Sequence, residues 1–471
     1  MEIKTDYGFK EFLSRYPTYA DTSILDEMRT NEYARLDAGK HVYLDYTGGS
    51  LYADCQLREH MALLRGGVFG NPHSANPASR AMTELVEHAR QYVLRYFNAS
   101  PQEYVAIFTA NASGALKLVG ESYPFSNRSC YVLTFDNHNS VNGIREFARA
   151  KGARITYLPV GLPDMRADNG MVIDALKRLQ GGGDNLFAYP AQSNFSGVQH
   201  PLEWIEQAHA YGWDVLLDAA AFTPTNRLDL SQVHPDFVSL SFYKIFGYPT
   251  GVGCLLARRM ALQKLRRPWF AGGTITVASV QGDKYYLGEG EMAFEDGTLN
   301  YLTLPAVEIG LKHIESIGID TIHERVRCLT GWVIENLLAL RHHNGKPVAR
   351  LYGPANTERR GGTITFNFYG PDGRAIDHRL VEQKANAANI SLRTGCFCNP
   401  GGGEIALGLE AQELAACFRQ PGHEHRLTLE DFRLCIDGKS SGAVRASLGI
   451  VSNFEDAQHF LRFAEQMRDT A

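Results

Sequence analysis

The stretch Phe237-Val-Ser-Leu-Ser-Phe-Tyr-Lys-Ile-Phe-Gly-Tyr-Pro-Thr-Gly-Val-Gly253 runs from a short apolar segment into a lysine, then into a loop holding Gly247, Gly251 and Gly253. Read as a buried strand ending near Ser241, it sets Lys244 just past a strand's carboxyl end, where α/β sheets gather their ligands. A lysine amine attacks a carbonyl carbon only if partial burial or a nearby cation favours its neutral form. A lone lysine at a strand end ordinarily lays its stem on apolar surface and keeps its charge in water. The reading therefore rests on its company.

Working outward, short apolar runs at 105–109, 129–134, 154–159, 186–189, 215–217, 237–241 and 253–257 predict strands. Amphipathic segments at 112–121, 141–151 and 201–211 lie between them. Strands separated by helical crossovers predict a mostly parallel sheet with helices on both faces. From about residue 302 the texture changes to a long helical stretch at 305–339, a strand at 362–368, a loop at 393–404 and a closing helix near 453–468. A chain of 471 residues exceeds one ordinary core. The expected division is an N-terminal arm (1–41), a large α/β domain (42–301) and a smaller α+β domain (302–471). Gly181–Gly183 and Gly401–Gly403 read as local turns.

Composition narrows the function classes. With 44% apolar and 21% charged residues the chain is a folded globular one, and its net charge of −5 is spread without a basic run. No nucleic-acid or membrane partner is expected. The first residues lack a charged-then-apolar leader, and no apolar run approaches the ~18 residues of a spanning helix. Eight cysteines are sparse for this length. They predict no disulfide framework and a reducing, cytoplasmic setting.

Four segments could carry chemistry with Lys244. Trp213-Asp-Val-Leu-Leu-Asp-Ala-Ala-Ala221 ends an apolar strand on Asp218, where an unpaired carboxylate would be costly. A pyridinium nitrogen would satisfy it, and a cap on the following turn would serve equally. Ile107-Phe-Thr-Ala-Asn-Ala-Ser-Gly-Ala-Leu-Lys-Leu118 joins a strand to a helix, so the Ala112 and Ser113 amides and the Ser113 hydroxyl can face a phosphate; an N-cap is the plainer role. Asp136-Asn-His-Asn-Ser140 sets His138 after another strand, placed to stack on a flat ring or simply to be a polar loop residue. Leu392-Arg-Thr-Gly-Cys-Phe-Cys-Asn-Pro-Gly-Gly-Gly403 puts Cys396 and Cys398 in a glycine-rich loop, expected to be mobile and exposed. No partner CxxC or spaced histidine pair lies nearby, so no metal is expected and a nucleophilic thiol leads over zinc or a regulatory disulfide.

Together these segments resemble the class V aminotransferase and cysteine desulfurase family of fold type I pyridoxal 5′-phosphate (PLP) enzymes. Within it, the likeness is to the N-terminal, sulfur-abstracting domain of the eukaryotic molybdenum cofactor sulfurases. It is carried by Tyr43-Leu-Asp-Tyr-Thr-Gly-Gly-Ser50, Gly70-Asn-Pro-His-Ser74, Tyr189-Pro-Ala-Gln-Ser-Asn-Phe-Ser-Gly197, Phe294-Glu-Asp-Gly-Thr298, Val444-Arg-Ala-Ser447 and the segments above. The Tyr-Lys stretch and Arg393-Thr-Gly-Cys-Phe-Cys-Asn-Pro400 are its most specific parts.

The resemblance implies a role for each position. Lys244 would hold PLP as a Schiff base and move the substrate's Cα proton. His138 would stack on the ring, Asp218 would pair with its nitrogen, and Asn194 would lie near its hydroxyl. Ser113, Ser241 and Tyr243 would bind the phosphate, with Thr274 reaching in from the other subunit of a homodimer. Arg445, with Arg393, would clamp the carboxylate of a small amino-acid substrate. Cys398 matches the persulfide-forming cysteine and Cys396 its flanking one, and a protein or small molecule would take the sulfur on. Two positions depart from the family: Ala221 replaces a glutamine common in cysteine desulfurases, and Asn111 replaces a small residue. The chain is expected to be a sulfur-abstracting unit without the C-terminal domain that handles molybdenum cofactor. The expected reaction is desulfuration of cysteine to alanine. The alternatives are a C–S β-lyase yielding pyruvate and ammonia, a transaminase, and a non-catalytic sulfur carrier. The charged segment 404–439, with Cys417, His423, His425 and Cys435, reads as a surface insertion or a gate.

Overall fold

The computed structural model describes residues 2–72, 74–420, 422, 426–428, 431–432, 435 and 442–470, with side chains from residue 8 onward. His73, His423 and His425 lie outside the described residues.

A seven-stranded sheet organises the larger part of the chain. Its strands are β1 (Tyr104–Thr109), β2 (Cys130–Thr134), β3 (Arg154–Leu158), β4 (Asn185–Pro190), β5 (Trp213–Asp218), β6 (Phe237–Ser241) and β7 (Gly253–Arg258). Each expected strand is present, in the order β1-β7-β6-β5-β4-β2-β3. Strand β7 runs antiparallel to both neighbours; the other pairings are parallel.

Successive side chains point to opposite faces, and both faces are buried. Ala106, Val132, Phe187, Leu217, Leu240 and Leu256 enter one apolar cluster with the helices Pro77–Tyr96, Asn169–Leu179 and Trp204–Ala210. Ile107, Leu133, Ala188, Leu216, Phe237 and Leu255 enter the other, with the helices Ala112–Ser122 and Ile144–Ala150. The sheet is thus a doubly covered α/β sheet of the expected class. The helix expected over 141–151 breaks at Gly143, leaving the single turn Asn139–Asn142 beside His138.

A second, antiparallel sheet is built from β8 (Ala349–Tyr352), β9 (Thr363–Phe368), β10 (Arg393–Gly395) and β11 (Ala443–Ser447), in the order β8-β9-β11-β10. Three expectations change here. The helical stretch 305–339 is two helices, Pro305–Ile317 and Ile319–Ala339, broken at Gly318 with φ 89°. The loop expected over 393–404 is largely ordered: it contains β10 and then the helix Pro400–Leu407. Gly401–Gly403, read as a turn, belong to that helix. Gly401 and Gly402 are packing glycines, since a Cβ would stand 1.9 Å from the Phe135 carbonyl oxygen at the first and 2.9 Å from Asn399 Oδ1 at the second.

The first residues form helices that pack on the smaller sheet's helices: Phe12 lies 5.5 Å from Trp332 and 4.9 Å from Phe454, centroid to centroid. Arg29 pairs with buried Asp456 at 2.6 Å. Against the expectation of free thiols throughout, Cys417 is bonded to Cys435, 18 residues away. Among the described residues, no helix is long and apolar enough to cross a membrane.

Candidate active site

The carboxyl ends of the central strands deliver their polar side chains to one cavity. It is lined by Ala112, Ser113, His138, Asn194, Asp218, Ser241, Tyr243 and Lys244, all singled out in the sequence, and also by Ser140, Gln192 and Ala221. Asp218 ends β5. One of its oxygens accepts from the Ser239 hydroxyl at 2.9 Å and the Ala220 amide at 3.1 Å. The other makes no hydrogen bond among the described residues and is open to a donor in the cavity that Asp218 lines. Lys244 stands in the short helix Phe242–Phe246 directly after β6. Burial pushes its amine below the ordinary lysine value, Asp218 pulls it back, and Arg445 and Arg393 push it down further. Burial likewise lowers the His138 imidazole, opposed by Asp218. Its Nδ1 accepts from the Ser140 amide at 3.1 Å, which sets the ring's orientation.

One wall is the N-terminus of Ala112–Ser122, whose helix dipole favours an anion. Asn111, the residue that departs from the family, caps this helix by accepting from the Gly114 amide at 2.9 Å. Ser241 accepts from the Ala112 amide at 3.0 Å, and the Ser113 and Ser140 hydroxyls are 2.5 Å apart. The turn is held closely: a Cβ at Gly253 would sit 2.4 Å from the Asn111 carbonyl carbon. Gly253→Ala is therefore expected to displace this turn, weaken PLP binding and cost about 1–3 kcal/mol of stability, checked by PLP titration and chemical denaturation. Thr274 lies outside this cavity in its own chain, where its hydroxyl donates to the Ala271 carbonyl at 2.8 Å.

Beyond the cavity lining, Arg393 on β10 sits directly opposite Arg445 on β11. Two like charges across an antiparallel pair repel. Asp45 offsets this by bonding both, at 2.6 Å to Arg393 and 3.1 Å to Arg445. Burial pushes the Arg445 guanidinium down to about 10, against the pull of Asp45. Its Nη1 donates to the Asn194 carbonyl at 3.0 Å, and its face lies 4.8 Å above the Phe397 ring. Its Nε is buried with no partner. Through Asn194, Arg445 thus sets a guanidinium cation next to the cavity lining. The sequence reading missed Asp45, although it stands in the quoted Tyr43–Ser50 motif.

The cysteine loop keeps the expectation of exposure, and its backbone is tied at three successive carbonyls. Both thiols are exposed, yet the carbonyls of Cys396, Phe397 and Cys398 each accept a hydrogen bond: from the Asn399 amide at 3.0 Å, the Asn194 side chain at 2.8 Å and the Asn139 amide at 2.7 Å. Phe397 is buried against Phe195, at 5.4 Å between centroids. The Cys398 thiol lies within electrostatic reach of Lys244 and Arg445.

These residues fit PLP. The open Asp218 oxygen suits a protonated ring nitrogen, the helix N-terminus and its hydroxyls suit a phosphate, and Lys244 suits an aldehyde.

A family model described as aminotransferase class-V matches residues 42–460. The molybdenum cofactor sulfurase of Solanum lycopersicum is 39% identical, the alignment covering 99% of this chain and 60% of that protein. The Homo sapiens protein of the same name is 38% identical, over 93% of this chain and 51% of its own length. The chain therefore spans between half and two-thirds of the length of these relatives. Among solved structures, the apo cysteine desulfurase of Thermococcus onnurineus NA1 superposes with a TM-score of 0.76 at 24% identity, covering 94% of this chain and 97% of that one. A C-DES variant with glycine covalently linked to its PLP cofactor gives 0.68 at 18% identity, covering 93% and 99%. These likenesses place the fold among the fold type I PLP enzymes.

Proposed function

The chain belongs to the aminotransferase class-V family, and on that footing we propose that it is a PLP-dependent cysteine desulfurase, moving sulfur from L-cysteine or a cysteine-derived substrate onto Cys398 and releasing alanine. One observation carries this reading. Asn194, which lines the cavity that holds Lys244 and Asp218, accepts from Arg445, and the Cys398 carbonyl is bonded to the Asn139 amide next to His138.

When bound, PLP supplies an electron sink that loosens the Cα–H bond of an attached amino acid. The chain's own residues do the rest. Arg445 takes the substrate carboxylate through its free donor edge, with Asp45 and the Phe397 ring fixing its plane. Lys244, held toward its neutral form, accepts the Cα proton. Asp218 would hold a proton at the ring nitrogen, and His138, which lines the same cavity, would cover the ring. The Cys398 thiolate attacks the substrate sulfur. An S–S bond forms as Cβ–S breaks, the electron pair stays with carbon, and protonation there gives alanine.

The same reading makes the enzyme a cytoplasmic homodimer. Apolar surface around the hairpin Ile275–Ser279/Lys284–Leu287, including Val280 at 99% and Tyr286 at 57% exposure, supports a covering partner. A protein or small-molecule acceptor takes the persulfide sulfur.

Quantifying alanine and pyruvate together tests the proposal. With a thiol reductant present to release the persulfide sulfur, alanine formed in step with sulfide is expected; pyruvate and ammonia in its place would make the protein a C–S β-lyase. Arg445→Lys, which loses the planar fork, is expected to raise KM for L-cysteine about 10- to 100-fold with a smaller change in kcat. Asp45→Asn should shift KM the same way by less, both read from steady-state kinetics.

A further inference from the structure

The reactive loop is held in a shape that a free loop does not keep. Phe397 and Cys398 both have φ 55°, two successive non-glycine residues in the left-handed region. Something must over-determine that shape, and the buried side chain of Asn399 meets every requirement. Its Nδ2 donates to the Asp136 carbonyl at 2.6 Å and to Asn194 Oδ1 at 2.9 Å, and its Oδ1 accepts from the Gly402 amide at 2.9 Å. Asn194, oriented this way, donates its own Nδ2 to the Phe397 carbonyl at 2.8 Å. Asp136 is itself fixed by a buried pair with His200 at 3.0 Å, which makes it a firm anchor.

We propose that Asn399 is a positioning residue for the Cys398 thiol, tying the reactive loop to the turn that carries His138 and to Asn194. It rests on the reading of Cys398 as sulfur acceptor. The amide acts through others: it touches neither cofactor nor substrate, and sets where the thiol stands relative to the substrate sulfur. Small misplacements of a reacting atom have large rate effects.

The test is Asn399→Ser in the PLP-loaded enzyme. Serine keeps an oxygen able to cap the helix at Gly402 while removing both donations. The expected result is normal PLP absorbance, KM for L-cysteine within about twofold, and kcat for alanine formation lowered about 10- to 100-fold. Hydrogen exchange of the peptide over 394–403 is expected to speed up about tenfold. Asn399→Asp, which keeps size and cap, should behave alike and decides the matter if the serine variant folds poorly. Wild-type kcat and wild-type exchange in both variants would overturn the proposal, as would a fall in PLP affinity matching the fall in kcat. A wild-type enzyme that makes no alanine would sink the parent reading instead, and the exchange measurement alone would then decide the tie.

Discussion

Lys244→Ala, purified with added PLP, is expected to lack the visible absorbance that borohydride abolishes and to form alanine at least about 1,000-fold more slowly than the wild type. The size follows from two roles in one amine: covalent attachment of the cofactor and transfer of the Cα proton. The amine is suited to both because burial lowers its pKa from the ordinary 10.5. A depressed pKa leaves more neutral amine at any pH below that value. PLP loading of the wild-type apoenzyme should therefore rise with pH and reach its midpoint below 10.5, the lysine reference. Asp218 opposes this, so Asp218→Asn should move that midpoint lower still. A Lys244→Ala enzyme with the wild-type band, or a loading midpoint at the free-lysine value, would remove the basis of the assignment.

Cys398→Ser should produce a different defect. PLP binds and the absorbance still responds to L-cysteine, but alanine formation falls at least about 100-fold, because serine cannot accept sulfur. Mass spectrometry of the wild type after a brief exposure to L-cysteine should find one added sulfur atom on the peptide bearing Cys398. Cys396→Ser is expected to cost less than about tenfold, since the Asn139 amide beside His138 bonds the Cys398 carbonyl, whereas the Cys396 carbonyl accepts from the Asn399 amide of its own loop. Undiminished alanine formation by Cys398→Ser would favour a lyase route in which this thiol is a bystander. The two variants separate cofactor chemistry from sulfur acceptance.

Much of this site was legible before any coordinates. A strand buried on both faces reads as a continuous apolar run, so β1 to β7 stand out, and the residues just past their ends, His138, Asp218 and Lys244, are where ligands meet such a sheet. Asp45 and Asn399 were not legible as functional residues. Asp45 meets Arg393 across 348 positions and Arg445 across 400, and Asn399 meets Asp136 across 263 and Asn194 across 205. Each is an ordinary polar residue whose value depends entirely on what stands opposite it after folding. The same holds for Gly401–Gly403, which read as a turn until the helix Pro400–Leu407 is seen pressed on the Phe135 backbone.

By itself, then, the order of residues determined the doubly covered sheet, the lysine at its edge and the pair of thiols late in the chain, because hydrophobic periodicity and local turn chemistry are written in neighbouring positions. Only the tertiary structure decided that those thiols ride on a backbone pinned at successive carbonyls, and that an aspartate lies between two facing arginines. Hydrogen bonds and ion pairs form between groups brought together by the packing of distant segments, and no local pattern records which groups will meet.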